Sequence, residues 1–189
     1  MFQPALKYYT EEEYLAMERV AEEKHEYYNG EIFAMSGASF KHNKIENNLR
    51  GFLFNHLNGK GYEAYGANLR VNIPANSLYT YPDISIVCDK PKFADEEFDT
   101  LVNPAVIIEI LPPSTANYDR GAKFDLYREI ESLKEYILID SNRAHFVHYN
   151  RNNDNTWTLY ETKNMQHDFF ISVITFKTPL SEIYTGVEI

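Results

Sequence analysis

Two carboxylates stand where ionised carboxylates are unfavourable. Glu109 lies inside the apolar run 104–111, and Asp83 follows Pro82 at the head of Ile84, Ser85, Ile86 and Val87. A charge in a buried strand needs a cation or hydrogen-bond donors to meet it. Two such acids on neighbouring strands make a hard-oxygen pair suited to Mg²⁺, with Mn²⁺ as a substitute. Phosphoester hydrolysis uses that arrangement, because a divalent ion neutralises charge developing on phosphate and lowers the pKa of a bound water. The plain alternative is that Asp83 caps a turn and Glu109 pairs with a structural Arg or Lys.

Three further positions bear on that pair. Asp119, Lys123, Leu126 and Ile130 recur at spacings of four, three and four, which puts Lys123 on the helix side that packs against the sheet. Either its stem snorkels and its ammonium is solvated, or it reaches back over the strand end toward Asp83 and Glu109. His42 and Glu46 lie four apart on one helix face, and a solvated face is the simpler reading for Glu46. His145 and His148 fall on opposite faces of an expected strand, cannot share a metal, and read as surface residues. The segment Gly59, Lys60, Gly61 lacks the rest of a phosphate-binding loop and reads as a helix stop.

The elements that must position these groups can be read from local signals. Thr10 followed by Glu11, Glu12 and Glu13 is a capping box opening a short helix. Asn29 and Gly30 between apolar pairs mark a hairpin. Ile45, Leu49, Phe52, Leu53 and Leu57 give one face of a helix over about 41–58. Strands are expected at 62–65, 68–73, 83–87, 105–111, 136–139, 145–149 and 156–161, a helix at 118–130, an exposed loop at 89–103, and a last strand and short helix within 176–183. The 15 tyrosines fill core and sheet surface. The sum is one domain over 1–189 of α/β class, loosely α+β, with a mixed sheet flanked by helices, an N-terminal helix and hairpin, and a β-rich C-terminal part.

Charge narrows the partners. The formal charge is -10, which argues against phosphate binding over the whole surface. Residues 11–31 carry eight acids against two bases, whereas 41–70 carry five bases against two acids. Lys41, Lys44, Arg50 and Arg70 are therefore the candidate nucleic-acid contacts. A single cysteine, Cys88, and a start without an apolar stretch point to a cytoplasmic protein with no membrane span.

Several segments together carry a family resemblance: Tyr81-Pro82-Asp83, Glu109 through Thr115, Asp119-Arg120-Gly121 with Lys123, Tyr127, Leu133 through Tyr136, and Tyr27 through Glu31 with His42-Asn43. The set resembles the PD-(D/E)XK nuclease superfamily and, within it, the restriction-endonuclease-like family expanded in cyanobacteria. The resemblance implies a restriction-endonuclease-like core, a metal held by Asp83, Glu109 and the carbonyl of Ile110, auxiliary roles for His42, Glu46 or Asp119, and a homodimer acting on DNA. One position departs from the pattern, since Leu111 stands where the superfamily places a lysine. Two expectations follow: a Mg²⁺-dependent endonuclease with Lys123 as the displaced cation, or a non-catalytic nucleic-acid- or protein-binding module on the same fold.

Overall fold

The computed structural model describes residues 7–112 and 119–189. The first helix, α1 (Glu11–Glu18), starts at Thr10, whose side chain accepts from Glu13 N while Glu13 reaches back to the Thr10 N–H. Next come β1 (His25–Tyr28) and β2 (Glu31–Ala34), joined by Asn29 and Gly30 at φ of 48° and 89°, the left-handed pair that a tight hairpin needs. Gly30 is required for space as well, because a Cβ there would stand 2.8 Å from the Tyr8 ring. The long helix α2 (Phe40–Leu57) is capped by Ser39 and buries His42, Ile45, Leu49, Leu53 and Leu57 at helical spacing.

The remaining elements are β3 (Glu63–Gly66), β4 (Arg70–Ile73), β5 (Leu78–Thr80), β6 (Ile84–Val87), β7 (Thr100–Leu101), β8 (Val106–Leu111), α3 (Ala122–Tyr127), β9 (Glu135–Asp140), β10 (Phe146–Arg151), β11 (Trp157–Thr162), β12 (Asp168–Ile171), β13 (Phe176–Pro179) and α4 (Leu180–Ile183). A six-stranded sheet runs β11-β10-β9-β8-β6-β3, and a five-stranded sheet runs β2-β1-β5-β4-β7. Within the larger sheet β8 and β9 are parallel and the other neighbours antiparallel. The class is mixed α and β with helices on the sheets.

Alternation along β8 divides the core. Val106, Ile108 and Ile110 pack with α2, the β12–β13 hairpin and α4. Ile107 and Leu111 face the smaller sheet, joining Val71, Ile73, Leu78 and Leu101, with Tyr127 of α3. Glu109 shares that second side by parity. Outside the smaller sheet, Tyr14 of α1 packs on Tyr27 and Tyr79.

The mixed sheet expected from the sequence is present as the six-stranded sheet, and beside it stand the five-stranded sheet and the two-stranded β12–β13 sheet. The short strands β5, β7 and β12 lie where no strand was expected, β7 within the acidic stretch 89–103. The expected helix 118–130 forms as α3 after one turn at Asp119 and Arg120, and its first residue falls outside the described residues. The helix ends early because the chain must drop to the sheet: Ile130 and Leu133 are buried in the connection, and Lys134 N bonds to Ala105 O at the head of β8.

Candidate active site

The register between β6 and β8 pairs Ile84 with Ile108, so Asp83, one residue before β6, meets Glu109 across the strands. Like charges directly opposite are unfavourable on a sheet, and both carboxylates are held by specific donors. Asp83 Oδ2 accepts from Ile110 N at 2.6 Å and lies 3.0 Å from His42 Nε2. Glu109 Oε1 accepts from the Tyr127 hydroxyl at 2.8 Å and lies 3.0 Å from Lys123 Nζ. Asp83 N approaches Glu109 Oε2 at 3.4 Å.

One turn of α3 separates Lys123 from Tyr127, so both face Glu109. Lys123 is buried. Its ammonium also lies 3.2 Å from Glu26 Oε1 and 3.8 Å from Asp119 Oδ1, and Thr80 donates to the same Glu26 oxygen. Burial pushes the Glu109 carboxyl up to about 7, helped by Asp83 and Asp119 and opposed by Lys123 and Tyr127. Burial works to discharge Lys123, but Glu109, Glu26 and Asp119 outweigh it and hold the amine well above its ordinary range. For His42, burial lowers the pKa while the Asp83 bond and the charges of Asp83, Glu46 and Glu109 raise it, with a net upward shift.

These residues open into a cleft of about 990 Å³, whose walls include Glu22, Glu23, Ser39, Glu46, Arg50 and Asn68. Four acids therefore surround one ammonium and one imidazole: Glu26, Asp83, Glu109 and Asp119. Asp83 Oδ1 accepts no hydrogen bond from the described residues. The open donors are hard oxygens, which fits Mg²⁺ or Mn²⁺. Among the described residues no three His, Cys, Asp or Glu side chains stand as a complete ligand set, so an ion here would keep backbone or water ligands, as Mg²⁺ commonly does.

Other sequence candidates are placed differently. Glu46 turns into the cleft with its side chain 14% exposed and pairs with Arg50 at 3.5 Å, so the solvated-face expectation gives way. Lys41 and Lys44 lie partly exposed on the first turns of α2, and Arg50 is exposed. Arg70 does not belong with them. It is 3% exposed, held by Asp99 at 3.0 Å, Thr100 and Tyr81, because its strand is covered on both sides. His145 and His148 are buried, not surface residues: the β12–β13 hairpin covers His148, with Phe170 packed on its ring, while His145 meets the Arg120 guanidinium at 3.2 Å on the other face.

Sequence reasoning passed over Glu26 and Thr80. The available signal was an acid next to Tyr28 on the inner face of β1. Tyr127 was noticed only as part of a motif.

Residues 11–176 match the Uma2 family, described as putative restriction endonucleases. The chain belongs to that family. It is 37% identical over 155 residues to the uncharacterized protein sll1609 of Synechocystis, across 82% of this chain and 88% of that one. A second Synechocystis protein, slr1290, also described as uncharacterized, is 36% identical over 171 residues, 86% of this chain and 89% of that one. The Uma2 chain is similar in fold to a crystal structure from Anabaena variabilis described as a putative nuclease belonging to DUF820. The TM-score is 0.75 at 16% identity, covering 92% of this chain and 96% of that one. Among the described residues of this Uma2 chain, no helix is long and apolar enough to cross a membrane.

Proposed function

We propose that the protein is a Mg²⁺-dependent endonuclease that hydrolyses phosphodiester bonds in DNA, with Mn²⁺ able to replace Mg²⁺. The observation that carries this reading is the surplus of buried negative charge around facing Asp83 and Glu109, which Lys123 and His42 leave short of neutral. Asp83, Glu109 and the Ile110 carbonyl would hold the ion, since in an extended strand the carbonyl lies on the same edge as the N–H that meets Asp83. Bound there, the ion supplies Lewis acidity and a water of lowered pKa. Tyr127 fixes the Glu109 carboxylate from one side. Lys123, already charged beside Glu109, faces the cleft and polarises a phosphate oxygen as charge develops on it. It thereby fills from α3 the role that Leu111 cannot fill.

The acidic walls formed by Glu22, Glu23 and Glu46 repel a free phosphodiester. The bases of α2, partly exposed Lys41 and Lys44 and exposed Arg50, offer the route along which the backbone enters. Cutting both strands of a duplex needs two such sites, so the working form is a homodimer, by analogy with the fold. The cytoplasm is the compartment that fits a DNA substrate and a reduced Cys88.

Plasmid nicking with Mg²⁺ or Mn²⁺ tests the proposal. Wild-type protein should nick and linearise the plasmid, EDTA should stop it, and Asp83→Ala should be inactive. Wild-type protein without activity under either ion, yet binding DNA, would favour the non-catalytic module.

A further inference from the structure

Asp83 has an unusual position for an acid that must be held in one orientation. It precedes β6, between Pro82 and Ile84, with its side chain 15% exposed. Its direction comes from two contacts on a single oxygen, one hydrogen bond and one ion pair. Ile110 N reaches Oδ2 at 2.6 Å from β8, and His42 Nε2 stands 3.0 Å from the same atom, coming from α2. Oδ1 is left without a donor among the described residues.

The His42 ring is itself firmly seated. Its backbone N–H donates to Ser39 Oγ at 3.2 Å in the helix cap. One and two turns on, Ile45 and Leu49 are fully buried and fix the helix on the sheet. The side chain is 10% exposed. Its second nitrogen, Nδ1, is buried with no hydrogen-bond partner among the described residues. A histidine serving as a two-sided bridge would use both nitrogens. This one spends the unfavourable burial of an unsatisfied Nδ1 to present Nε2 alone.

We propose that His42 is a positioning residue for Asp83: its Nε2–H···Oδ2 bond turns the carboxylate so that Oδ1 is free for a divalent cation, and this bond, not the ring as such, is what the site requires. The inference rests on the metal reading of the site and adds to it a residue that orients a ligand without touching the ion. Groups that orient metal ligands in this way typically contribute 10–100-fold to affinity.

Because only one side of the ring is used, a side chain that donates from the Nε2 position should suffice. Glutamine places its amide nitrogen near the location of Nε2, whereas asparagine is one methylene shorter and places its amide near Nδ1. The test is Mn²⁺ binding to the full chain by calorimetry, for wild type, His42→Gln, His42→Asn and His42→Leu, with melting in EDTA to confirm folding. His42→Gln should bind within about threefold of wild type, and His42→Leu and His42→Asn about tenfold or more weaker. Affinity of His42→Leu or His42→Asn equal to wild type overturns the inference, as does a His42→Gln as weak as the other two. If His42→Leu does not fold, the comparison of Gln with Asn decides alone. A wild type that binds no Mn²⁺ overturns the metal reading itself, and the inference with it.

Discussion

Lys123 Nζ lies 3.0 Å from Glu109 Oε1, although the two residues come from different elements and Glu109's own strand ends on Leu111. The same ammonium is within 3.8 Å of Asp119 and 3.2 Å of Glu26. A lysine in an apolar helix face is thereby paired rather than snorkelling.

Lys123→Ala is expected to lower the nicking rate by about 10²–10³-fold, the loss typical for one charged donor at a developing oxyanion. Mn²⁺ binding should remain measurable by calorimetry. The fold should also weaken by about 3–5 kcal/mol in urea melts, because Glu109 is left buried without its cation. A variant that cuts at the wild-type rate would assign Lys123 to the fold alone.

The pH dependence of metal-free stability follows from the directions of two shifts. The Glu109 carboxyl is raised from 4.5 to about 7 on folding, so between those values the folded chain binds more protons than the unfolded one. Stability then falls as pH rises through that window. His42 is also raised above 6.5. Its contribution is full below 6.5 and is lost as pH climbs through its folded value, which continues the same slope. Urea melts in EDTA should show the protein more stable near pH 5 than near pH 8, with Glu109 contributing up to ~3 kcal/mol. Glu109→Gln should flatten the acid half of the curve, and an unchanged slope would remove Glu109 as its source.

How much of this was legible depended on whether a signal was local. Asp83 and Glu109 stood out because each interrupts or heads a continuous apolar strand, and Lys123 because helical spacing places it among apolar neighbours. The Asn29–Gly30 hairpin and the Thr10 capping box need only four residues each. Glu26 was not legible as a site residue because it reaches Lys123 through a second sheet, in which Tyr27 pairs with Tyr79, far away in sequence. That sheet rests on strands as short as Thr100–Leu101, too short to show alternation. Arg70 looked like surface charge from its neighbours in sequence, but Asp99, Thr100 and Tyr81 bury it through long-range contacts.

A control at the far end of the sheet separates stability from chemistry. Glu135, fully buried, lies 2.6 Å from His148 and accepts from Ser172 N at 2.9 Å and Val173 N at 2.5 Å, pinning the turn between β12 and β13. Glu135→Ala strands the Ser172 and Val173 N–H groups, removes the carboxylate beside His148, and should cost about 3–5 kcal/mol in urea melts. Nicking per folded molecule should be unchanged at low temperature. A loss of activity beyond the unfolded fraction would place this pair in communication with the site.

The last prediction concerns the entry of DNA along α2. Lys41 lies in the first turn of an 18-residue helix that has no acid in that turn, where a positive charge is unfavourable by about 0.3–1 kcal/mol against the helix dipole. A residue kept against that local preference should serve something outside the helix. Lys41→Glu should therefore act in opposite directions on fold and binding: it should raise the melting temperature slightly and weaken DNA binding. Combined with Lys44→Glu it should reduce the slope of log affinity against log salt by about 2, since each neutralised phosphate contributes about 0.9. Arg70→Ala provides the contrast, because its guanidinium is turned inward. It should destabilise the chain and leave the salt slope of the folded protein untouched. Fluorescence anisotropy with a labelled duplex across a salt series reads both effects. Charge reversal at Lys41 and Lys44 that leaves the slope unchanged would move the DNA track off α2.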